Sequence, residues 1–382
     1  MTQLLMMSAA GELAISRVPY AQKETLQAFD QADLLVLNHL HKEGLLHATC
    51  RVLVVNEAFG AITCALTKSL QFLAGPMPTL WSDSHMAWLG LQYNAQANSL
   101  PVAHFVAAQD TPEGPFDVVI LRLPKSHALL RDQLQRMLPQ LVPGALIIMP
   151  VMVKHMDNSV YQLLESVLGE LSTSLAHKKA RLVFAIKPAQ ALEQDPKPEQ
   201  TCWQIPMLGL SLQHFSGVFG RTKLDAGAQA LLDQFPLGPY NKVIDLGCGN
   251  GIQAIVAAKK WPQCQVIGVD ESYMSVASAT INANNNGVAA QCEFRADDCL
   301  TAMAEQSADL ILCNPPFHQE RVMGDQVAMR MFAQSARVLT KEGELWVVGN
   351  RHLGYHAKLK RWFQRVEQVG NHPKFIVLKA QL

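Results

Sequence analysis

The chain has no excess of either charge: 32 Lys plus Arg stand against 32 Asp plus Glu in 382 residues. No global field therefore draws it to a polyanion, although a local patch escapes such a count. Long apolar runs are also missing. The nearest, over residues 141–153, is broken by Pro143, Gly144 and Pro150 and is too short to span a bilayer. Residues 1–14 lack a basic segment followed by an apolar core, so no secretory leader is expected. The eight cysteines (Cys50, Cys64, Cys202, Cys248, Cys264, Cys292, Cys299, Cys313) form no C-x-x-C pair and have no histidines at metal-ligand spacing. That argues against zinc and against a disulfide framework, and for buried thiols in a reducing compartment. No Ser/His/Asp or Cys/His constellation stands out. These absences predict a cytoplasmic globular protein with no membrane segment and no metal. One stretch does lean basic: Arg351, Lys358, Lys360, Arg361, Arg365, Lys374 and Lys379 crowd the C-terminal end.

What is present is organised. A chain of 382 residues is long enough for two domains, each with its own core. The segment from Ile186 to Gln200 is polar and proline-rich, with neither helical nor strand period, and reads as a connection. The expected division is residues 1–190, a linker at 191–200, and residues 201–382. Thr201 to Ile205 and Leu210 to Phe215 look like a hairpin leading into the second domain. From Lys242 onward, strands and helices alternate, which implies a parallel sheet with helices on both faces. The first half repeats this order. Arg51 to Gly60 occupies the place of Val243 to Gly249, and Asp83 to Asn94 that of Asp270 to Asn282. Phe116 to Lys125 corresponds to Ala308 to Phe317, and Pro143 to Ile148 to Glu342 to Val347. The offset stays at about 190–200 residues, the mark of an internal duplication. The expected fold is therefore α/β, with two tandem Rossmann-like domains.

Three segments of the second half carry chemistry. Asp245-Leu246-Gly247-Cys248-Gly249-Asn250-Gly251 lies between a strand and a helix. Glycines there let the backbone turn tightly and approach a ligand at a helix N-terminus. A dinucleotide loop needs a glycine where Ile252 stands, and it has no use for Asp245. An acid followed by G-x-G-x-G instead suits S-adenosylmethionine, with Gly247, Gly249 and Gly251 near the methionyl part and Asp245 serving its ammonium. Asp270, at the end of the next strand, is expected to accept from ribose hydroxyls; a helix N-cap is the alternative. Asp298, after the third strand, is the candidate acceptor for an adenine amine.

The third segment is Asn314-Pro315-Pro316-Phe317, following the apolar run Ala308 to Cys313. Two prolines stiffen the corner, since each sets its own φ and restricts the residue before it. The Asn314 amide oxygen and the Pro315 carbonyl can accept both hydrogens of an exocyclic amine while Phe317 stacks on its ring. Phe219 with Arg221, and Asn350 with Arg351, lie where they could meet a substrate. The counterparts in the first half are altered. Asn56-Glu57-Ala58-Phe59-Gly60 has lost the glycines, and Arg122-Leu123-Pro124-Lys125 has lost both the Asn and the aromatic. These losses predict a degenerate first domain.

With these residues in place the chain resembles the bacterial ribosomal RNA guanine-N2 methyltransferases that pair two methyltransferase-like domains. The resemblance rests on Gly217 to Phe219, Leu224 to Gly227, Val243 to Gly251, Val269 to Ser272 and Cys313 to His318. The ending Gly349 to His356 looks more like the large-subunit (23S) RlmG members than the small-subunit (16S) RsmC relatives. The resemblance implies two class I methyltransferase domains, the N-terminal one degenerate, and S-adenosylmethionine-dependent methylation of one guanine in ribosomal RNA. It leaves the first domain, with no cofactor site to maintain, free to bind RNA, with Lys178, Lys179 and Arg181 contributing, or to stabilise the fold. A pseudo-dimer within one chain makes a monomer the expected state. A 16S enzyme remains an alternative. So does a protein glutamine methyltransferase, which carries Asn-Pro-Pro with Tyr where Phe317 stands. A scaffold with vestigial sites in both halves is a third reading.

Overall fold

The computed structural model describes residues 5–19, 26–188, 198–221, 223–316 and 321–382. Phe317, Thr222 and the middle of the expected linker lie outside the described residues. The chain divides into two compact units, Met1–Glu199 and Gln200–Leu382.

The second unit opens with the hairpin foreseen from sequence. Its elements, and those of the first unit, are numbered along the whole chain. In the first unit these are β1 (Leu5–Ser8), β2 (Gly11–Ala14), α1 (Gln31–Lys42), β3 (Val52–Val55), α2 (Ala61–Phe72), β4 (Thr79–Ser82) and α3 (His85–Ala97). They continue with β5 (His104–Ala107), β6 (Phe116–Leu121), α4 (His127–Met137), β7 (Leu141–Met152), α5 (Asn158–Leu168), β8 (Ser172–Thr173) and β9 (Ala180–Ile186). The second unit contributes β10 (Gln200–Ile205), β11 (Leu210–Phe215), α6 (Ala226–Leu232), β12 (Lys242–Leu246), α7 (Ile252–Lys260), β13 (Gln265–Asp270) and α8 (Tyr273–Asn285). Then come β14 (Cys292–Ala296), β15 (Ala308–Cys313), α9 (Arg321–Val338), β16 (Leu339–Asn350), α10 (Tyr355–Leu359), β17 (Arg365–Asn371) and β18 (Phe375–Gln381).

Among the described residues each unit holds a seven-stranded sheet of the same topology, β5-β4-β3-β6-β7-β9-β8 and β14-β13-β12-β15-β16-β18-β17. The central strands are apolar on both faces because helices cover both sides of a parallel sheet. In β12 and β15, Val243, Leu310 and Leu312 enter one core while Ile244, Ile311 and Cys313 enter the other. Strand alternation sends neighbours to opposite faces. The sheets are mixed, not purely parallel as the alternation implied: β18 runs antiparallel to both β16 and β17. A short β17–β18 turn can only join antiparallel strands, since a parallel connection needs a crossover. Strand β17 escaped the sequence reading because its polar, edge-strand composition lacks an apolar period. The last helix starts at Tyr355, where Gly354 at φ 65° turns the chain into it.

The duplication extends to detail. β7 and β16 have the same length and the same burial pattern. Each is offset against its neighbour by a register shift, at Phe116/Val118 and Ala308/Leu310. Gly60 and Gly251, both left-handed, begin α2 and α7, and Ser84 and Ser272 cap α3 and α8. This corrects the loop alignment: Gly60 matches Gly251, so left-handed Asn56 (φ 60°) matches Gly247 (φ 76°).

Helix α8 fastens the hairpin to the sheet. Asn282 Oδ1 accepts from Gln213 N at 2.6 Å while its Nδ2 donates to Gln213 O at 2.9 Å. Asn286 makes the same pair with Ser211. In the first unit Asn94 and Asn98 on and after α3 do this for Ser16 and Ala14. Side-chain amides four residues apart lie on one helix face and mimic a neighbouring strand's N–H and C=O.

Candidate active site

In the second unit the strand order reverses between β12 and β15, and open α/β sheets bind ligands at the carboxyl end of such a switch point. There the Gly247–Gly251 loop follows β12, Asp270 ends β13, Asp298 follows β14 and Asn314 follows β15. Loop and corner are neighbours: a Cβ on Gly247 would lie 3.8 Å from the Asn314 carbonyl oxygen.

The glycines differ in what demands them. Gly251 is needed for packing, since a Cβ there would come within 2.8 Å of the Ala279 Cβ on α8. Gly249, at φ 52°, meets nothing within 4 Å and leaves its side of the loop open. Asp270 braces the loop from below. Its Oδ2 accepts from Gly249 N at 2.9 Å and its Oδ1 from Ser272 N at 2.9 Å. Ser272, not Asp270, caps α8. Asp245 is 1 % exposed, and its Oδ2 accepts from Ala254 N at 3.0 Å. Burial, aided by the Asp270 charge, pushes the Asp245 carboxyl up to about 7. Asp298 is ion-paired at 2.7 Å to Arg330 of α9.

Asn314 is tied at one end only. Its Nδ2 donates to Asp225 Oδ2 at 3.2 Å, whereas its Oδ1 is buried and has no partner. Pro315 and Pro316 follow it outside any helix or strand. Phe219 is exposed, and Arg221 Nε donates to Thr201 Oγ1 at 3.2 Å on β10. Asn350 ends β16 at the same sheet edge, and Arg351 donates through Nη2 to His372 O at 3.1 Å.

Three residues of this site were not singled out from sequence. Asp225 pairs with Asn314 across 89 positions and caps α6. His214 is fully buried, stacks on Trp203 and accepts at Nε2 from Asn250 Nδ2 at 2.9 Å. Burial, and then the nearby Arg221 charge, drops His214 to about 4, which keeps its Nε2 an acceptor. Asn282 Nδ2 also donates to Asn250 O at 2.9 Å, so hairpin and helix together hold the loop. The matching Asn-x-x-x-Asn of the two halves was a legible signal for Asn282; the others depend on contacts between distant segments.

The corresponding place in the first unit is a cavity of about 280 Å³ lined by Asp30, Asp33, Asn56, Glu57, Phe59 and Arg122, among others. Glu57 accepts from Ile62 N and Thr63 N at 2.8 and 3.0 Å and bonds the Thr63 hydroxyl. It thus serves α2 from the loop, as Asp245 serves α7 from the strand. Burial pushes the Glu57 carboxyl up to about 7. Arg122, in the position of Asn314, pairs with Asp30 at 2.8 Å and Asp33 at 3.2 Å. Among the described residues no cluster of His, Cys, Asp or Glu could hold a metal ion, and no helix is long and apolar enough to cross a membrane.

A sheet of this topology with an acid-and-glycine loop and an Asn-Pro-Pro corner defines a methyltransferase, and the family model for the methyltransferase small domain matches residues 209–379. The model for the RLMG N-terminal domain matches residues 3–189. The chain belongs to the ribosomal RNA large subunit methyltransferase G family. A member from Ectopseudomonas mendocina is 45% identical over 375 residues, covering 96% of this chain and 97% of its own. Another from Pseudomonas aeruginosa is 45% identical over 373 residues, covering 97% of each. Among solved structures, the T. thermophilus 16S rRNA N2 G1207 methyltransferase (RsmC), in complex with AdoMet and guanosine, has the same fold. Its TM-score is 0.77 at 20% identity, covering 99% of this chain and 97% of that one.

Proposed function

We propose that the second unit transfers a methyl group from S-adenosylmethionine to the exocyclic N2 amine of a guanine in 23S ribosomal RNA. The observation that carries this is the Asn314 side-chain amide oxygen, buried without a partner, on a residue whose backbone carbonyl would lie 3.8 Å from a Cβ on Gly247. A buried acceptor left unpaired is costly, so it calls for a donor that arrives with substrate. The name shared by the relatives favours the large subunit over 16S RNA, and Phe317 in place of Tyr disfavours glutamine.

The residues present fit the donor. S-adenosylmethionine, when bound, would supply a sulfonium methyl that an amine nitrogen can take, with the neutral thioether as leaving group. Gly247 and Gly249 let the loop backbone approach the methionyl part, and Gly249 leaves that side open. Gly251 brings α7 close enough to α8 to set the loop's exit. Asp270, which accepts backbone bonds from Gly249, Ser272 and Glu271, keeps carboxylate capacity for a ribose hydroxyl, and Asp245 lends its carboxyl to the ammonium directly or through water. Asp298, its charge balanced by Arg330, accepts from the adenine amine. At the corner Asn314 Oδ1 and the Pro315 carbonyl take the two amine hydrogens, which directs the nitrogen lone pair at the methyl. Pro316 stiffens the corner and Phe317 stacks on the base. Phe219, Arg221, Asn350 and Arg351 serve the RNA side.

The first unit, in this reading, is the degenerate copy. Arg122 offers only donors where an amine needs acceptors, and its pairing with Asp30 and Asp33 supports a stabilising role. The exposed Lys178 and Lys179 suit RNA phosphates. The enzyme acts as a monomer in the cytoplasm, where ribosomes are assembled.

The test is methyl transfer to ribosomal RNA purified from cells lacking the protein, read by nucleoside mass spectrometry. N2-methylguanosine should rise in 23S RNA alone. A rise only in 16S RNA would move the assignment to the small subunit, and unmodified guanine in both RNAs would end it.

A further inference from the structure

We propose that Asp225 is a positioning residue that sets which end of the Asn314 amide faces the substrate. The inference rests on the reading above, that Asn314 presents an acceptor to the amine. An Asn amide fits its site in two orientations of nearly equal shape, and only one offers oxygen. In the other, Nδ2 hydrogens would confront the amine's own hydrogens. A carboxylate can only accept, so Asp225 Oδ2, at 3.2 Å, holds Nδ2 on its own side and leaves Oδ1 for the substrate. Asp225 is itself held, because the same Oδ2 accepts from Ala228 N at 3.0 Å as the N-cap of α6.

The first unit shows the same device with a different partner. Asp30 caps α1 and meets Arg122 at the end of β6, as Asp225 caps α6 and meets Asn314 at the end of β15. In both units a helix-capping aspartate receives a donor from the residue that ends the fourth strand of the parallel set. Arg has donors at every end and gains an ion pair. Asn has one donor end and one acceptor end, so the same contact orients it. During transfer the nitrogen–methyl bond forms as the sulfur–methyl bond breaks, and the extra proton on nitrogen leaves to solvent. Asp225 takes part in neither event and acts only through Asn314.

Asp225→Ser separates the two roles of the carboxylate, since Ser still caps a helix but is too short to reach Asn314. Its kcat should fall roughly 10–100-fold, the scale of a misplaced reacting group. Its Tm and its calorimetric affinity for S-adenosylmethionine should match wild type. Asp225→Asn, whose oxygen accepts the same two bonds, should keep kcat within about threefold. A readout free of turnover is the ¹⁵N–¹H side-chain amide pair of Asn314, assigned by its loss in Asn314→Ala, which should shift in Asp225→Ser. Wild-type kcat in Asp225→Ser, or an Asn314 amide signal that does not move, overturns the inference. So does an equal loss in both Asp225 variants that tracks a fall in Tm, which would make Asp225 a helix cap alone. Undiminished kcat in Asn314→Ala would instead remove the underlying reading.

Discussion

Asn282 Nδ2 donates to the Asn250 carbonyl at 2.9 Å, so a side chain on α8 pins the last turn of the glycine loop. The same amide pairs with both backbone groups of Gln213. Asn282→Ala removes all three bonds and leaves buried backbone groups unpaired, at about 2–4 kcal/mol of stability. It should also weaken S-adenosylmethionine binding, measured by calorimetry. Asn94→Ala, which breaks the matching bonds to Ser16 and Phe59, should cost similar stability and leave that affinity intact. A normal Tm in Asn282→Ala would show that the hairpin does not depend on it.

The two central glycines should fail in different ways. Gly251→Ala drives a methyl towards Ala279 at 2.8 Å, and denaturation should show a loss on the order of 1–3 kcal/mol. Gly249→Val faces open space in the protein alone. Its stability loss should be limited to backbone strain of roughly 1–2 kcal/mol, while cofactor binding falls far more. Equal affinities for wild type and Gly249→Val would take this glycine out of the binding site.

His214 gives a pH signature with a defined sign. Its folded pKa, about 4, lies below its unfolded value near 6.5, so the unfolded chain binds the extra proton first. The stability it contributes is complete above about pH 6.5 and is lost as pH falls towards 4, on the order of 1–3 kcal/mol in all. Asp245 and Glu57 shift in the opposite sense, so the comparison must be differential. His214→Gln keeps an acceptor for Asn250 and cannot titrate. Urea midpoints of wild type should decline relative to this variant between pH 6.5 and 4. Parallel curves would show that His214 stays protonated or solvated.

Lys178 and Lys179 occupy a two-residue hairpin loop at φ 48° and 65°, closed by paired bonds between His177 and Ala180. Both positions favour Asn and Gly. Lys178→Asn with Lys179→Gly should therefore raise stability by about 0.5–1 kcal/mol. If these lysines meet phosphates, the same pair should lower RNA affinity and reduce the salt slope of binding by about 1–2. Unchanged RNA binding would leave the turn without a functional reason for its lysines.

Much of this was legible in local patterns. The alternation from Lys242 marked the strands, the glycines marked a left-handed loop, and the steady offset between halves marked two similar sheets. What escaped had no local period. Edge strand β17 is polar, and the antiparallel direction of β18 follows from a short turn, not from its own composition. The cofactor and corner motifs were visible because each is contiguous. Their supports were not: Asp225, His214 and Asn282 reach the site from segments that become neighbours only when the sheet closes over its helices.

That Asn314 stands at a rigid strand end, after a glycine loop able to approach a cofactor, is readable locally, because prolines and glycines act on their own residues' φ and ψ. How that Asn is turned depends on the folded chain. An amide has no preferred end until a partner fixed elsewhere in the chain accepts from one side of it. Asp225 is that partner for Asn314, and at the matching strand end Asp30 became the counter-ion of Arg122.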